Sequence, residues 1–325
     1  MQPTPFDRLF EKVDITKYPV KQLVTIPLVI LLISFAVIAV TQLSLDSPVR
    51  LGTDFKGGTV VRLTTLETAD ALELKFAAFP VESVRDTGGA DEKSIEFGQM
   101  SEPQKDELIT MLQEEYGSYE LRDISPLFGE ELQHQAVKAV IIAFTLMAIV
   151  VFVTFRAVLP AFYIVTCAFS DIVITVACMD AIWMELSLGT VAALLMLIGY
   201  SVDSDILLTT KLLHKKGGIN DKLRGAMKTG ITMTTTTIVA VFAMFLVSSY
   251  LHLFSSHFAP IPILRDMSLV LLFGLSADLM NTWLFNAGVL RWYLERKEPK
   301  KPGKGEAKKD EAKKNAKRKR KSSTA

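Results

Sequence analysis

Asp203 and Asp205, in the string Leu-Met-Leu-Ile-Gly-Tyr-Ser-Val-Asp-Ser-Asp-Ile-Leu-Leu over 195–208, lie in a hydrophobic stretch long enough to cross a bilayer. A carboxylate at the centre of such a helix opposes insertion by about 2.5 to 3.5 kcal/mol, so it persists where it faces protein or water and has a task. Asp171 sits mid-stretch in one neighbouring apolar segment, and Asp278 with Asn281 in another. A further segment opens on Lys228 and continues with Thr229, Thr232 and the run Thr234 to Thr237. Carboxylates, hydroxyls and one cation inside apolar helices suit the uptake and release of a proton or another ion. Asp203 and Asp205 differ by about 200° around a helix turning roughly 100° per residue, so they point to opposite sides. Asp203 shares its face with Gly199, where the missing side chain permits close helix approach. Asp205 shares its face with Ser201 and Thr209 and is the better candidate for a residue near the headgroups.

The elements that position these groups follow from segregation of composition. Half of the 325 residues are hydrophobic and 22% are charged, with a mean hydropathy of +0.31. Apolar runs at 21–43, 136–155, 158–179, 187–208, 230–250 and 267–290 each approach the roughly 20 residues that span about 30 Å of hydrocarbon. Six transmembrane helices are expected. The first run is too long for a signal-peptide core and reads as a retained helix. Arg8, Lys12, Lys17 and Lys21 precede it, Arg156 lies between the second and third, and Lys211 to Lys228 fill the connection between the fourth and fifth. That bias places both termini in the cytoplasm. The first helix looks uniformly apolar and is expected to face lipid or a partner, with the fourth, fifth and sixth around a polar core. Cys167 and Cys178 lie about 16 Å apart along one helix and cannot bridge. His134, His214, His252 and His257 have no further ligands at zinc spacing, so neither a metal nor a cofactor is expected.

Five regions result: an amphipathic lead-in over 1–20, the first membrane helix over 21–43, an extracytoplasmic domain over 44–133, membrane helices two to six over 134–294, and a basic tail over 295–325. The domain reads as a strand over Thr59–Thr65, a helix over Ala69–Phe79, strands over Val81–Thr87 and Lys93–Gly98 about Gly88-Gly89, a helix over Glu102–Tyr116 and a strand over Tyr119–Ile124. The order βαββαβ predicts a ferredoxin-like α+β sandwich. With no phosphate loop, nucleophile elbow or His and Cys pair, it suits binding or mechanical work better than catalysis, and no enzyme is expected. The tail cannot order itself. It reads as a solubilising positive-inside segment, with weak binding to anionic lipid or the ribosome as alternatives.

Leu51-Gly-Thr-Asp-Phe-Lys-Gly-Gly-Thr59 resembles the Gly-Ile-Asp-Phe-x-Gly-Gly motif of the SecF side of the SecD/SecF protein-export family, within the resistance-nodulation-division superfamily. Ser125-Pro-Leu-Phe-Gly-Glu-Glu-Leu132, Ser170-Asp171-Ile-Val-Ile-Thr175, Ile198-Gly-Tyr-Ser-Val202 and Lys228-Thr-Gly-Ile-Thr-Met-Thr-Thr235 resemble further family motifs in family order. The resemblance implies a half unit completed to twelve helices by SecD, acting beside the SecYE channel on a translocating polypeptide, in the cytoplasmic membrane. It implies structural roles for Gly52, Asp54, Gly57, Gly58, Gly199, Tyr200 and Ser201. Ser204 stands in the column of the bacterial Asp, with acids on both sides; Lys228 replaces an Arg and Ser170 a His, a pattern like an archaeal version. Asp203 is then the first choice for the protonatable group in an ion-driven mechanism, with Asp171, Asp278 and Asp205 supporting and Lys228 as counter-charge. A small-molecule or lipid exporter of the same superfamily, which usually carries two six-helix halves, is the main rival. An intramembrane aspartyl protease needs two carboxylates in one site, and Gly274-Leu-Ser-Ala-Asp278 lacks the Gly-x-Gly-Asp pattern of that family.

Overall fold

The computed structural model describes residues 18–86, 92–214, 218–250 and 261–297. Most of the amphipathic lead-in, the Gly88-Gly89 turn, His252 and His257, and the basic tail from 298 lie outside the described residues. The chain opens with α1 (Val20–Leu45) and a single turn, α2 (Thr53–Lys56), and then forms β1 (Gly58–Thr64), α3 (Ala69–Lys75), β2 (Val81–Asp86), β3 (Glu92–Phe97), α4 (Glu102–Tyr116) and β4 (Tyr119–Ile124). Long helices follow: α5 (Pro126–Phe155), α6 (Val158–Ala181), α7 (Leu188–His214), α8 (Ile219–Tyr250) and α9 (Pro262–Met280). A π-helical segment, Asn281–Asn286, joins α9 to α10 (Ala287–Lys297).

The strands form one antiparallel sheet in the order β2-β3-β1-β4. Alternation along β1 sends Val61 and Leu63 to one face, where they are buried with Leu72 and Phe76 of α3 and its end, Ile95 and Phe97 of β3, and Leu108 and Leu112 of α4. Both helices therefore cover the same face, as the period-2 pattern of the strands requires. Local signals start them: Thr68 accepts from Ala71 N at the head of α3, and Ser101 with Gln104 makes a capping box on α4. A cluster of Lys75, Glu67, Glu115 and Tyr116 ties α3 to α4; Lys75 lies 2.5 Å from Glu115 and donates to Tyr116 Oη at 2.9 Å. Tyr116 in turn donates to Glu67 at 2.7 Å. The Tyr116 hydroxyl, and then Lys75, hold the Glu67 carboxyl below the usual range.

Five helices, α1 and α5 to α8, are long and apolar enough to cross a membrane. The sixth apolar run is helical too, but α9 carries Arg265, Asp266 and Asp278 within its 19 residues. The helices α6 and α7 bury more than half of their most apolar windows inside the protein, whereas α1, α5 and α8 leave most of theirs outward. The inner layer is therefore α6, α7 and α9. The fifth helix, α8, packs against α7 and α9, but Thr229, Thr232 and Thr237 bond back to carbonyls of α8 itself, the local alternative open to helical Thr.

The sheet domain is stitched to the helical part at the motif after α1. Gly52 N donates to Leu186 O at 2.9 Å and Leu186 N to Arg50 O at 2.7 Å, a short parallel bridge just before α7. Asp54 accepts from Leu188 N at 3.1 Å, satisfying a free donor at the start of α7. Gly57 has φ +76°, and a Cβ there would meet Pro126 Cα at 2.7 Å. These contacts give the motif residues Gly52, Asp54 and Gly57 a backbone reason. Arg85 of β2 reaches Glu185 in the loop before α7 at 2.6 Å and Glu96 of β3 at 3.9 Å. Burial pushes the Glu96 carboxyl up, against the pull of Arg85.

Candidate functional site

Inside the helical layer, Asp171 of α6, Asp205 of α7 and Asp278 of α9 are fully buried. A stripe of polar residues from α9 and the π segment meets them. Ser201 donates to Asp171 Oδ2 at 2.6 Å, and Asn281 Nδ2 donates to Asp171 Oδ1 at 2.6 Å and to Ser170 Oγ at 3.0 Å. Ser204 donates to Asp278 Oδ2 at 2.9 Å. Thr282 Oγ1 lies 2.9 Å from Asp205 Oδ1 and 3.1 Å from Asp278 Oδ1, and Asn286 donates to Asp205 Oδ1 at 2.8 Å. Among the described residues, none of the three carboxylates is in an ion pair. Three acids held by neutral donors alone form a layer whose net charge changes whenever a proton enters or leaves. An arrangement of this kind can take up and release a proton.

The local sequence explains the placement. Asp278, Thr282 and Asn286 recur every four residues, so on a helix they form one polar stripe. The stripe crosses from α9 into the π segment at Asn281; single π turns inside α-helices occur often at functional sites. Glycine brings the helices close. A Cβ on Gly274 of α9 would lie 2.3 Å from Leu197 Cδ2 of α7, and one on Gly230 of α8 would lie 2.3 Å from the Trp283 ring.

The residues singled out from sequence divide into two groups. Asp171, Asp205, Asp278 and Ser201 come together. Asp203, Gly199 and Tyr200 lie on the exposed face of α7, and Lys228 is exposed on α8. The ranking of Asp203 above Asp205 is therefore reversed by geometry: Asp205 is the enclosed acid, and Asp203 points away from the layer. The expectation that Gly199 marks a close helix approach is also corrected within this chain, since nothing lies within 4 Å of a Cβ placed there. Ser204 serves the layer as a donor to Asp278. Thr282 and Asn286 escaped the sequence reading, although the four-residue recurrence after Asp278 was a usable signal, and Ser204 was not read there as a donor.

A family model described as the C-terminal part of the protein export membrane protein SecD/SecF matches residues 104–296, more than half of the chain. The chain belongs to the SecD/SecF family. A protein-export membrane protein SecF from Methanolacinia petrolearia is 44% identical over 283 residues, covering 87% of this chain and 97% of that one. Another from Haloferax volcanii is 41% identical over 285 residues, with 87% and 95% covered. The relatives are archaeal, in keeping with the departures from the bacterial motifs. The crystal structure of SecDF from Thermus thermophilus, a translocon-associated membrane protein, superimposes with a TM-score of 0.66 at 19% identity. The match covers 85% of this chain but 38% of that one, so this chain shares the fold of a part of the larger protein. With its apolar helices, membership of this family makes it a multi-pass membrane protein.

Proposed function

We propose that this chain is the SecF-type half of an accessory complex for Sec-dependent protein export, and that proton or ion exchange at the Asp171, Asp205 and Asp278 layer drives it. The observation that carries the ion-coupled reading is the closed carboxylate layer, met by neutral donors only, in a chain that matches export relatives over nearly their whole length. In this reading α9, the π segment and α10 together supply the sixth membrane crossing. Both termini lie in the cytoplasm, and the sheet with order β2-β3-β1-β4 is a ferredoxin-like domain on the outer side of the cytoplasmic membrane.

The exposed face of α7, with Met196, Gly199, Tyr200 and Asp203, is the surface we assign to a SecD partner. A glycine and a polar group on an outward helix face suit close packing against a second helix in lipid. Movement of α7 reaches the sheet domain through Asp54 on Leu188 N, the Leu51 and Leu186 bridge and the Arg85 to Glu185 pair. The helix-free face of the sheet overlooks a cleft of about 1010 Å³ lined by Arg62, Arg85, Glu96, Arg122, Trp183 and Asp266, among others. That cleft is where a translocating polypeptide emerging from SecYE would be held.

The test is export into vesicles containing the channel, this chain and its SecD partner, with and without an imposed proton gradient. Asp205→Asn and Asp278→Asn are expected to remove the stimulation by the gradient, while Asp203→Asn keeps it. Equal stimulation in all four proteins would place ion coupling elsewhere, and export independent of this chain would end the accessory reading.

A further inference from the structure

The carboxylate layer contains an imbalance that assigns a role to Thr282. A threonine hydroxyl owns one proton, yet Thr282 Oγ1 is within hydrogen-bond distance of two carboxyl oxygens, Asp205 Oδ1 at 2.9 Å and Asp278 Oδ1 at 3.1 Å. If both acids are ionised, one of these contacts sets lone pair against lone pair in a fully buried place. Both contacts become full two-centre hydrogen bonds when one of the two acids carries a proton and donates it to Thr282, while Thr282 donates to the other. Thr175, Thr232 and Thr237, in other helices, instead bond the carbonyl four residues earlier. The Thr282 hydroxyl lies between two acids from two different elements, in the π-helical segment.

We propose that Asp205 and Asp278 hold one proton between them and that Thr282 is the bridge through which it passes. The inference rests on reading the layer as the exchange site and assigns its parts. In the transfer, the Oδ1–H bond of Asp278 breaks as its proton passes to Thr282 Oγ1, and the proton of Thr282 passes to Asp205 Oδ1. Thr282 ends neutral, and the negative charge moves from Asp205 to Asp278. Asp171 is not bridged by Thr282; Ser201 and Asn281 each donate to one of its oxygens. Among the described residues, Asp205 Oδ2 has no partner within geometric hydrogen-bond limits, and neither does the hydroxyl of Thr209 one turn further along α7; the Cys167 thiol of α6 lies beside Asp205. Buried polar atoms of this kind call for ordered water, which makes this side of Asp205 the point of entry or exit.

The titratable groups facing the bridge are few. Asp171 and Cys167 approach from α6, and the Cys167 thiol is buried. The only charged residue of α1 is Lys21, which is exposed, as is Lys138 of α5. Asp221, Lys222, Arg224 and Lys228 lie in the first three turns of α8, where Arg224 and Lys228 are exposed. Proton exchange at the bridge therefore depends on the acids and their hydroxyl and amide partners.

The test is infrared spectroscopy of the full chain in lipid vesicles, following the carbonyl stretch of protonated carboxyl groups across a pH titration in light and heavy water. Wild type is expected to show such a band, altered in Asp205→Asn and in Asp278→Asn. Thr282→Ser, which keeps the hydroxyl, should titrate as wild type, whereas the isosteric Thr282→Val should move the midpoint by about one pH unit, the effect of one hydrogen bond to a charged group. Unchanged helix content by the amide band separates this from a folding defect, and the serine variant reads the bridge even where the valine variant misfolds. A valine variant titrating like wild type, a serine variant titrating differently, or a wild type without a protonated carboxyl would overturn the proposal. If the titrations behave as expected but export by the reconstituted complex ignores the gradient, the ion-driven reading fails and the bridge stands.

Discussion

Replacing Asp205 separates the structural from the chemical content of the layer. Its Oδ1 accepts from Thr282 at 2.9 Å and from Asn286 at 2.8 Å. Asp205→Ala removes the acceptor of two buried donors and leaves a small void, whereas Asp205→Asn keeps a carbonyl oxygen able to serve both. Hydrogen bonds between membrane helices contribute roughly 0.6 kcal/mol on average and up to about 1.7. Two of them give an expected loss of about 1 to 3 kcal/mol for the alanine variant, before any cavity contribution. The asparagine variant places an NH2 group at the Oδ2 position, which has no hydrogen-bond partner among the described residues, and water there would limit its cost to below that of alanine. The assay is equilibrium unfolding of the purified chain in mixed lipid and detergent micelles, with hydrogen exchange at α9 and α10 as a local probe. Alanine and asparagine variants of equal stability, within about 0.5 kcal/mol, would refute the claim that Asp205 is the acceptor joining α7 to the π segment. Because the asparagine variant keeps the packing but cannot hold the proton, its loss of gradient-stimulated export with near-normal stability is the expected combination.

Three further outcomes follow from the geometry. Gly274→Ala puts a methyl 2.3 Å from Leu197 Cδ2 and should destabilise the chain by about 1 to 3 kcal/mol, the usual cost of overpacking; in combination with Leu197→Ala part of that cost should return, read as a favourable coupling in a double-mutant cycle. Asp54→Ala removes the acceptor at Leu188 N and is expected to cost about 1 kcal/mol and to speed amide exchange at the start of α7, with Asp54→Asn close to wild type. Glu67 has its carboxyl held low by Tyr116 and Lys75, so its contribution is present above the unfolded value near 4.3 and is lost as pH falls through the folded value. Glu67→Gln should therefore weaken protection of α3 at neutral pH by no more than about 1 kcal/mol, as expected of a partly exposed pair, and the difference from wild type should close in acid.

Much of the fold was legible from local pattern. In the sheet domain, Glu102–Tyr116 and Tyr119–Ile124 occur as read, and the other strands start or end within a residue or two, because period-2 alternation and capping residues act locally. The helix read over Ala69–Phe79 ends at Lys75, since Phe76 and Phe79 turn into the domain core instead of continuing it. The membrane helices were visible as apolar runs, but their ends were not: α5 begins at Pro126, ten residues before its apolar run, on a Ser125 cap.

The sequence by itself determined that acids lie inside apolar helices, that Asp203 and Asp205 face opposite ways, and which family the motifs resemble. Those are properties of composition and of helical period, which need no partner. Only the tertiary structure decided which acid is enclosed. Periodicity gives the angle between two residues on one helix but not the azimuth of that helix against its neighbours. That azimuth is set here by Gly274 lying under Leu197 and by the stripe of Asp278, Thr282 and Asn286 turning toward α7. With it, Asp205 falls inside with Asp171 and Asp278, and Asp203 falls outside, because burying an acid is tolerable only where neutral donors such as Thr282 and Asn286 meet it.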